Sequence, residues 1–410
     1  VHGCGSRLPE PHFFRNREET SKVTFDRTAR LCAAAMATVT GIFGTVSETR
    51  AETVRVYVGT YTNGTESEGI YRFDLDTETG KTTAPVVAAK VTNPSFLAVH
   101  KDGKHVYAVN EIDAQNGKKT GGMTAFEIQP DGNLKLLNAV ETGGGAPCHI
   151  TIDPSGKFAF FANYGGGSSG AVAIAPDGSL GKITAFVQHE GSSVNPQRQQ
   201  GPHAHSINAH PNGKFVYVAD LGLDKILIFA FDPAEGTMKP ATPPHAAIKP
   251  GSGPRHFAFA PGGKRAYVIN EIGNTVVAFD VNAETGELKE SQSIGTLPAD
   301  FKGTSYTAEV VAHPSGKFVY GSNRGYHSIT TFAVGPAGTL AYKANYMSPT
   351  IDTPRNFAVD PSGNWMLIEG QNTGVIEVHR LDPEAGTPGP KPVSTAKVPT
   401  PVCVRFLPLK

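Results

Sequence analysis

The chain is poor in the residues that staple small folds or build metal centres. It has only four cysteines, Cys4, Cys32, Cys148 and Cys403, with no CxxC pair and no His/Cys cluster at metal-ligand spacing. That argues against a disulfide framework and against a structural zinc. Charge of one sign is lacking too: Lys plus Arg equals Asp plus Glu at 37 each. No overall field therefore draws the protein to nucleic acid, a membrane surface or a polyanion, and recognition must be local. No segment reaches the ~18 consecutive apolar residues that a spanning helix needs. There is no GxSxG nucleophile elbow, no P-loop and no GxGxxG opening a helix, and Gly165–Gly170 (GGGSSG) reads as a loop rather than a phosphate cradle.

What is abundant is turn chemistry. Among 410 residues, 46 glycines and 31 prolines separate many short Val/Ile/Tyr/Phe runs, which favours short strands over long helices. The first fifty residues differ from the rest. Arg27 and Arg30 precede a mild apolar run, Leu31–Val46, and then Ser47–Ala51 (SETRA), the order of a basic region, a short apolar region and a small-residue cleavage site. Residues 1–52 are expected to be a leader that directs export to the periplasm or beyond. The alternative is a disordered extension on a cytoplasmic protein. Residues 53–410 form the single remaining domain.

A turn repeats through that domain. Lys101–Lys104 (KDGK) recurs as Pro154–Lys157, Pro211–Lys214, Pro261–Lys264, Pro314–Lys317 and Pro361–Asn364. The glycines at 103, 156, 213, 263, 316 and 363 are 53, 57, 50, 53 and 47 residues apart, the period of propeller blades. Apolar runs flank each turn, as in Phe257–Ala260 and Ala266–Ile269, and predict a hairpin. The residues that follow hold a second turn, such as Asp76–Gly80 or Asn282–Gly286, enough for two outer strands. The ends supply a seventh unit: Pro401–Leu407 (PVCVRFL) matches an inner strand and Val54–Thr62 (VRVYVGTYT) the strand after it. The expected fold is all-β, a seven-bladed β-propeller of four-stranded antiparallel blades closed by its two ends, which removes the exposed edges of stacked sheets. A sandwich lacks this repeat, β-helix coils are shorter, and a single tryptophan disfavours WD40 blades.

Aligning the copies separates scaffold from site. Seven residues after each turn glycine stand Asn110, Asn163, Asp220, Asn270, Asn323 and Gly370, a near-constant column that suits strand-ending turn formers. The next column diverges: Glu111, Tyr164, Leu221, Glu271, Arg324 and Gln371. The pairs opening the inner strands also diverge: Ser95-Phe96, Cys148-His149, His205-Ser206, Arg255-His256, Ala308-Glu309 and Arg355-Asn356. All these positions share the face opposite the repeated turns. Polar groups close to the ring axis need partners, so Arg255, Arg324, Arg355, Glu271, Glu309, His203, His205 and His256 are expected to interact there. Each taken singly is explained as well by a salt bridge that pins blades, and His149 and His256, which share a repeat position, by packing or a strand-start hydrogen bond. His203 and His205 lie at i and i+2 of Gly201–Ser206 (GPHAHS), on one side of an extended segment; with no third ligand signalled, no metal is assigned to them.

Gly201–His205 (GPHAH), Asp220–Asp224 (DLGLD), Gly253–Phe257 (GPRHF), Asn270-Glu271, Ser322–Gly325 (SNRG) and Pro354–Phe357 (PRNF) resemble, in order, the signature blocks of propeller-type 6-phosphogluconolactonases, and Val56–Thr62 resembles their opening. The resemblance covers nearly the whole chain from Val54. It implies hydrolysis of 6-phosphogluconolactone or a related sugar lactone with no metal or organic cofactor. The family also includes carboxymuconate-cyclising enzymes, whose active site is attributed to a His, a Glu and arginines; by motif these match His203 and His205, Glu271, Arg255 and Arg324. Glu271 or His205 is then the general base on water, Arg255 stabilises the oxyanion, and Arg324 and Arg355 bind phosphate. Arg355, Glu309, His256 and His149 are expected to bind substrate. The expected partner is a small-molecule lactone, with neither nucleic acid nor membrane, and the protein is expected to be a monomer. Export conflicts with an intracellular phosphorylated substrate, so three alternatives stay open: an unphosphorylated lactone outside the cytoplasm, lactonisation of an unsaturated diacid, and a non-enzymatic binding propeller.

Overall fold

The computed structural model describes residues 53–114 and 117–409, and within them each repeated turn closes a hairpin. The turn glycines Gly103, Gly156, Gly213, Gly263, Gly316 and Gly363 all have φ between 69° and 80°, a left-handed backbone that a Cβ disfavours. Glycine recurs in this column for that reason. Seven antiparallel sheets of four strands result, and all named elements among the described residues are strands.

The blades are numbered here by their inner strands. These are Leu97–Val99 (blade 1), Pro147–Ile152 (2), Ala204–Ala209 (3), Pro254–Phe259 (4), Tyr306–Ala312 (5), Phe357–Val359 (6) and Pro401–Pro408 (7). Each touches the inner strand of the next blade, and the last touches the first. In blade 7 the strand Pro401–Pro408 pairs antiparallel with Thr53–Thr60, Val54 opposite Pro408 and Gly59 opposite Cys403. The expected seam between the chain's two ends is therefore present. The leader assigned to residues 1–52 lies outside the described residues.

Burial follows position within the blade. The second strands His105–Asn110, Phe158–Asn163 and Phe215–Asp220 are buried along their whole length, because neighbouring blades cover both of their faces. An outermost strand such as Leu134–Glu141 is largely exposed or half-buried. A tyrosine of the second strand also fastens each of four blades to the next: the hydroxyls of Tyr57, Tyr107, Tyr217 and Tyr320 donate to the carbonyls of Gly132, Gly178, Gly286 and Gly386 at 2.8–2.9 Å. Cys148 and Cys403 are both buried and unpaired, in blades 2 and 7.

Candidate active site

Two aspartates of the DLGLD segment hold the loops that feed the inner strands of blades 3 and 4. Asp220 Oδ1 accepts hydrogen bonds from the backbone amides of His203, Gly222 and Leu223. Asp224 accepts from the amides of Gly251 and Gly253, both at 2.7 Å. The backbones also touch: a Cβ on Gly222 would lie 1.9 Å from the Gly201 carbonyl oxygen, so only glycine fits. The GPHAH, DLGLD and GPRHF segments are thus one mechanical unit, and it aims His205 and Arg255 at the axis.

There the side chains converge on Glu271. Its carboxylate receives Arg255 Nε at 3.0 Å, Arg324 at 2.8 Å and Arg198 at 2.5 Å. Burial alone would raise the Glu271 pKa, but the three guanidinium charges outweigh it and hold the carboxyl at about 2. Glu271 is an anion throughout the working range and a weak base. Arg255 is 2% exposed, and its other contact is to the Ala308 carbonyl at 2.8 Å. Arg324 also donates to the Thr307 carbonyl, while its Nε is buried without a partner. Burial and neighbouring Arg255 lower the Arg324 pKa to about 9, which leaves it charged at neutral pH.

His205 stands beside this cluster, its Nε2 3.9 Å from Glu271 Oε2 and its Nδ1 3.7 Å from Cys148 Sγ. Burial, together with the charge of Arg255 and the nearby His256, pushes its pKa well below the ordinary value, so the imidazole is neutral at neutral pH. Burial likewise raises the Cys148 thiol, which stays protonated. Glu111, Cys148, Tyr164, Arg198, His205, Glu271, Arg324 and Arg355 together line a cleft of about 180 Å³.

Across the cleft Arg355 is half-buried with its guanidinium 5.3 Å from the Tyr61 ring centroid. Among the described residues it makes no side-chain hydrogen bond or ion pair, so its N–H donors are uncommitted. Tyr61 and Glu111, which is 3.0 Å from the Tyr61 hydroxyl, favour its charged form against the effect of burial.

The remaining expected residues sit elsewhere. His203 is outside the cleft lining: it stacks on the Tyr164 ring, centroids 4.6 Å apart, and its Nδ1 donates to the Tyr164 carbonyl. Tyr164 also meets His205 edge-on at 5.2 Å, so both histidines do lie against one ring. His256 and His149 form an aromatic plug with Phe96 in the axial channel, at centroid distances of 4.3–5.5 Å. His256 pairs with Glu309 at 2.9 Å, and Asn356 donates to the other Glu309 oxygen. Burial keeps His256 and His149 neutral and raises the Glu309 carboxyl. His149 and Glu309 line a different cavity, about 650 Å³, which opens toward the repeated turns between mostly apolar walls. Of these two cavities among the described residues, the smaller is the one that brings the uncommitted Arg355 guanidinium together with the neutral His205 imidazole.

The cleft lining adds Arg198, Tyr164 and Glu111 to the residues expected from the sequence. Tyr164 and Glu111 stand in the same diverging column as Glu271 and Arg324, so the signal was present. Arg198 comes from the long connection 189–203 and is outside the repeat. Ser169, His189 and Asp220 form a Ser-His-Asp chain, with bonds of 2.9 and 2.7 Å. All three are at most 4% exposed, which denies them a substrate, and Asp220 is occupied with loop amides.

A family model described as lactonase, 7-bladed beta-propeller, matches residues 55–406. The chain is 36% identical over 353 residues to a 6-phosphogluconolactonase of Bacillus subtilis, covering 86% of this chain and 97% of that protein. A 6-phosphogluconolactonase of Formosa agariphila is 35% identical over 337 residues, covering 81% and 93%. Among solved structures, the periplasmic gluconolactonase of Pseudomonas aeruginosa superposes with a TM-score of 0.80 at 32% identity, over 87% of this chain and 99% of that one.

Proposed function

The chain belongs to the seven-bladed β-propeller lactonase family, and from that membership and the geometry of the cleft we propose that it hydrolyses a sugar lactone at His205 and Glu271. The observation that carries the reading is a neutral imidazole, His205, 3.9 Å from a carboxylate that three arginines keep ionised.

His205 Nε2 takes a proton from the water that attacks the lactone carbonyl. The adjacent Glu271 charge stabilises the imidazolium that forms, and such a base contributes about 10²–10⁴ in rate. The carbonyl becomes a tetrahedral oxyanion, and Arg324 and Arg198, which border the cleft, supply the N–H donors for it. One such donor contributes about 10²–10³. The ring C–O bond then breaks, and the His205 imidazolium returns its proton to the leaving oxygen. Arg255, buried and held by Glu271 and Ala308, touches no substrate; it and Glu271 are positioning residues. This shifts the oxyanion role expected of Arg255 to Arg324 and Arg198.

The uncommitted guanidinium of Arg355 favours a lactone with an anionic substituent, in agreement with the 6-phosphogluconolactone in the names of the relatives. Arg355→Ala should lower kcat/KM for the phosphorylated lactone about 10–100-fold, mostly through KM, from the loss of charged hydrogen bonds. Plain gluconolactone should be little affected. Equal effects on both substrates would remove the phosphate role, and no turnover of either by folded protein would remove the lactonase reading in favour of a binding propeller. A second reading, an exported enzyme for unphosphorylated lactones, is favoured by the leader pattern at 27–51 and by the periplasmic P. aeruginosa relative. Faster turnover of the plain lactone in the same assay selects it.

A further inference from the structure

The repeated turns use one histidine in the same way three times. His100, His210 and His313 begin the turns of blades 1, 3 and 5, and each Nε2 bonds the carbonyl of the turn glycine in the next blade: Gly156 at 2.9 Å, Gly263 at 3.1 Å and Gly363 at 2.8 Å. A carbonyl only accepts, so Nε2 carries the proton in all three, and in the neutral ring Nδ1 is left with a lone pair.

In blades 3 and 5 that lone pair meets donors. The Asn212 amide lies 3.1 Å from His210 Nδ1, and in blade 5 the Ser315 amide and hydroxyl lie 3.0 and 2.7 Å from His313 Nδ1. In blade 1 the residue two places on is Asp102, and its carboxylate Oδ2 lies 2.9 Å from His100 Nδ1. Two acceptors face each other there, with only a long 3.3 Å contact from the Asp102 amide. The same oxygen is 2.8 Å from Nδ1 of His105, and the three ligand atoms all lie within 4.8 Å of one another. His105 also breaks the repeat, since blades 2, 3 and 5 have Phe158, Phe215 and Phe318 at its position. His105 is buried and His100 half-buried, beside a cleft of about 480 Å³ that they line with Asp102.

We propose that His100 Nδ1, Asp102 Oδ2 and His105 Nδ1 bind a divalent transition-metal ion of the zinc class on the turn face of blade 1. Two imidazoles and one carboxylate suit zinc better than magnesium or calcium, which prefer all-oxygen shells. With metal–ligand bonds of about 2.0–2.1 Å, tetrahedral neighbours lie about 3.3 Å apart, so the two short contacts need to open by only a few tenths of an ångström. The fourth position faces the cleft and takes water. Because His100 is also bonded to Gly156, the ion would fasten blade 1 to blade 2. The site is remote in function from the lactone cleft and does not depend on that reading.

The test is isothermal titration of the untagged chain with zinc salt at pH 7.5, alongside thermal melts with and without zinc. Two variants restore residues that the repeat already uses, His105→Phe as in blade 3 and Asp102→Asn as Asn212. The wild type should bind one zinc per chain and melt higher with zinc. Each variant should lose at least ~100-fold in affinity, beyond the 10–100-fold that an outer partner is worth, and lose the zinc-dependent rise. Either folded variant binding zinc like the wild type, or a folded wild type that takes none, would overturn the site.

Discussion

The two faces of the ring are built on one backbone repeat, yet they treat it oppositely. On the turn face the side chains repeat with the backbone: four tyrosines make the same bond to the next blade, and three histidines make another. On the mouth face the backbone still repeats, with Asn163 and Asn323 both donating to serines five residues on, Ser168 and Ser328, at 2.9–3.0 Å. The column beside it carries Glu111, Tyr164, Glu271 and Arg324, and these meet across the axis. Symmetry thus marks adhesion between blades, and broken symmetry marks the cleft where the chemistry is proposed. The turn of blade 1, where Asp102 and His105 break the pattern on the adhesive face, is the exception that suggested a metal.

This contrast is sharpened most by Glu271→Gln. Removing one partner from a buried ion pair costs about 3–5 kcal/mol, and here buried Arg255 and half-buried Arg324 and Arg198 all lose their counter-charge, so both Tm and lactone turnover should fall markedly. A readout specific to positioning is the pH profile: the remaining activity should keep an acid limb, because the base is His205, but displaced to lower pH, because the imidazolium loses the anion 3.9 Å away. A profile whose acid limb vanishes would instead make Glu271 the base. The Glu271 carboxyl is held at about 2 in the fold against 4.5 unfolded, so its contribution to stability is full above about pH 4.5 and is lost as pH falls toward 2.

On the adhesive face the effect should be smaller and confined to stability. Tyr217→Phe removes one inter-blade bond to Gly286, and chemical denaturation should register about 0.5–1.5 kcal/mol with kcat/KM unchanged. A loss of activity there would erase the division between faces. Smallest at neutral pH is His149→Phe, which places the residue of the equivalent Phe96 in the axial plug. His149 is neutral in the fold because burial lowers its pKa, so the unfolded chain binds more protons below about pH 6.5 and the fold weakens as pH falls. Near pH 7.5 the variant loses only the long 3.3 Å bond that the Ile207 amide donates to His149 Nδ1, and relative to the wild type it should gain in melting temperature on going to pH 5. An unchanged difference between the two pH values would count against a buried neutral histidine.

The architecture was legible because its signal is repeated. A glycine that must be left-handed occurs at each turn, and the seam could be read from Val54–Thr62 and Pro401–Leu407 as the missing halves of one unit. The convergence of His205, Arg255, Glu271 and Arg324 followed from the alignment of copies. What did not follow was depth. Column position says that Arg255 and Arg355 are near the axis, but only packing distinguishes the first, spent on Glu271 and Ala308, from the second, free over Tyr61. His149 and Glu309 open inner strands as His205 does, yet lie further along the strand and face the opposite cavity. Arg198 was illegible because the loop that brings it in has no counterpart in other blades, and the His100-x-Asp102-x-x-His105 spacing was hidden inside the turn that announced the fold.

The proposed mechanism requires that His205, and not its neighbour in the GPHAH segment, moves the proton. The direct measurement is single-turnover lactone hydrolysis by His205→Ala and His203→Ala, with circular dichroism to verify folding. His205→Ala should slow the chemical step about 10²–10⁴-fold, while His203→Ala, which loses only its stack on Tyr164 and one bond to a carbonyl, should stay within about tenfold of the wild type, as expected for a single neutral hydrogen bond. A folded His205→Ala protein that hydrolyses the lactone at the wild-type rate would contradict the account.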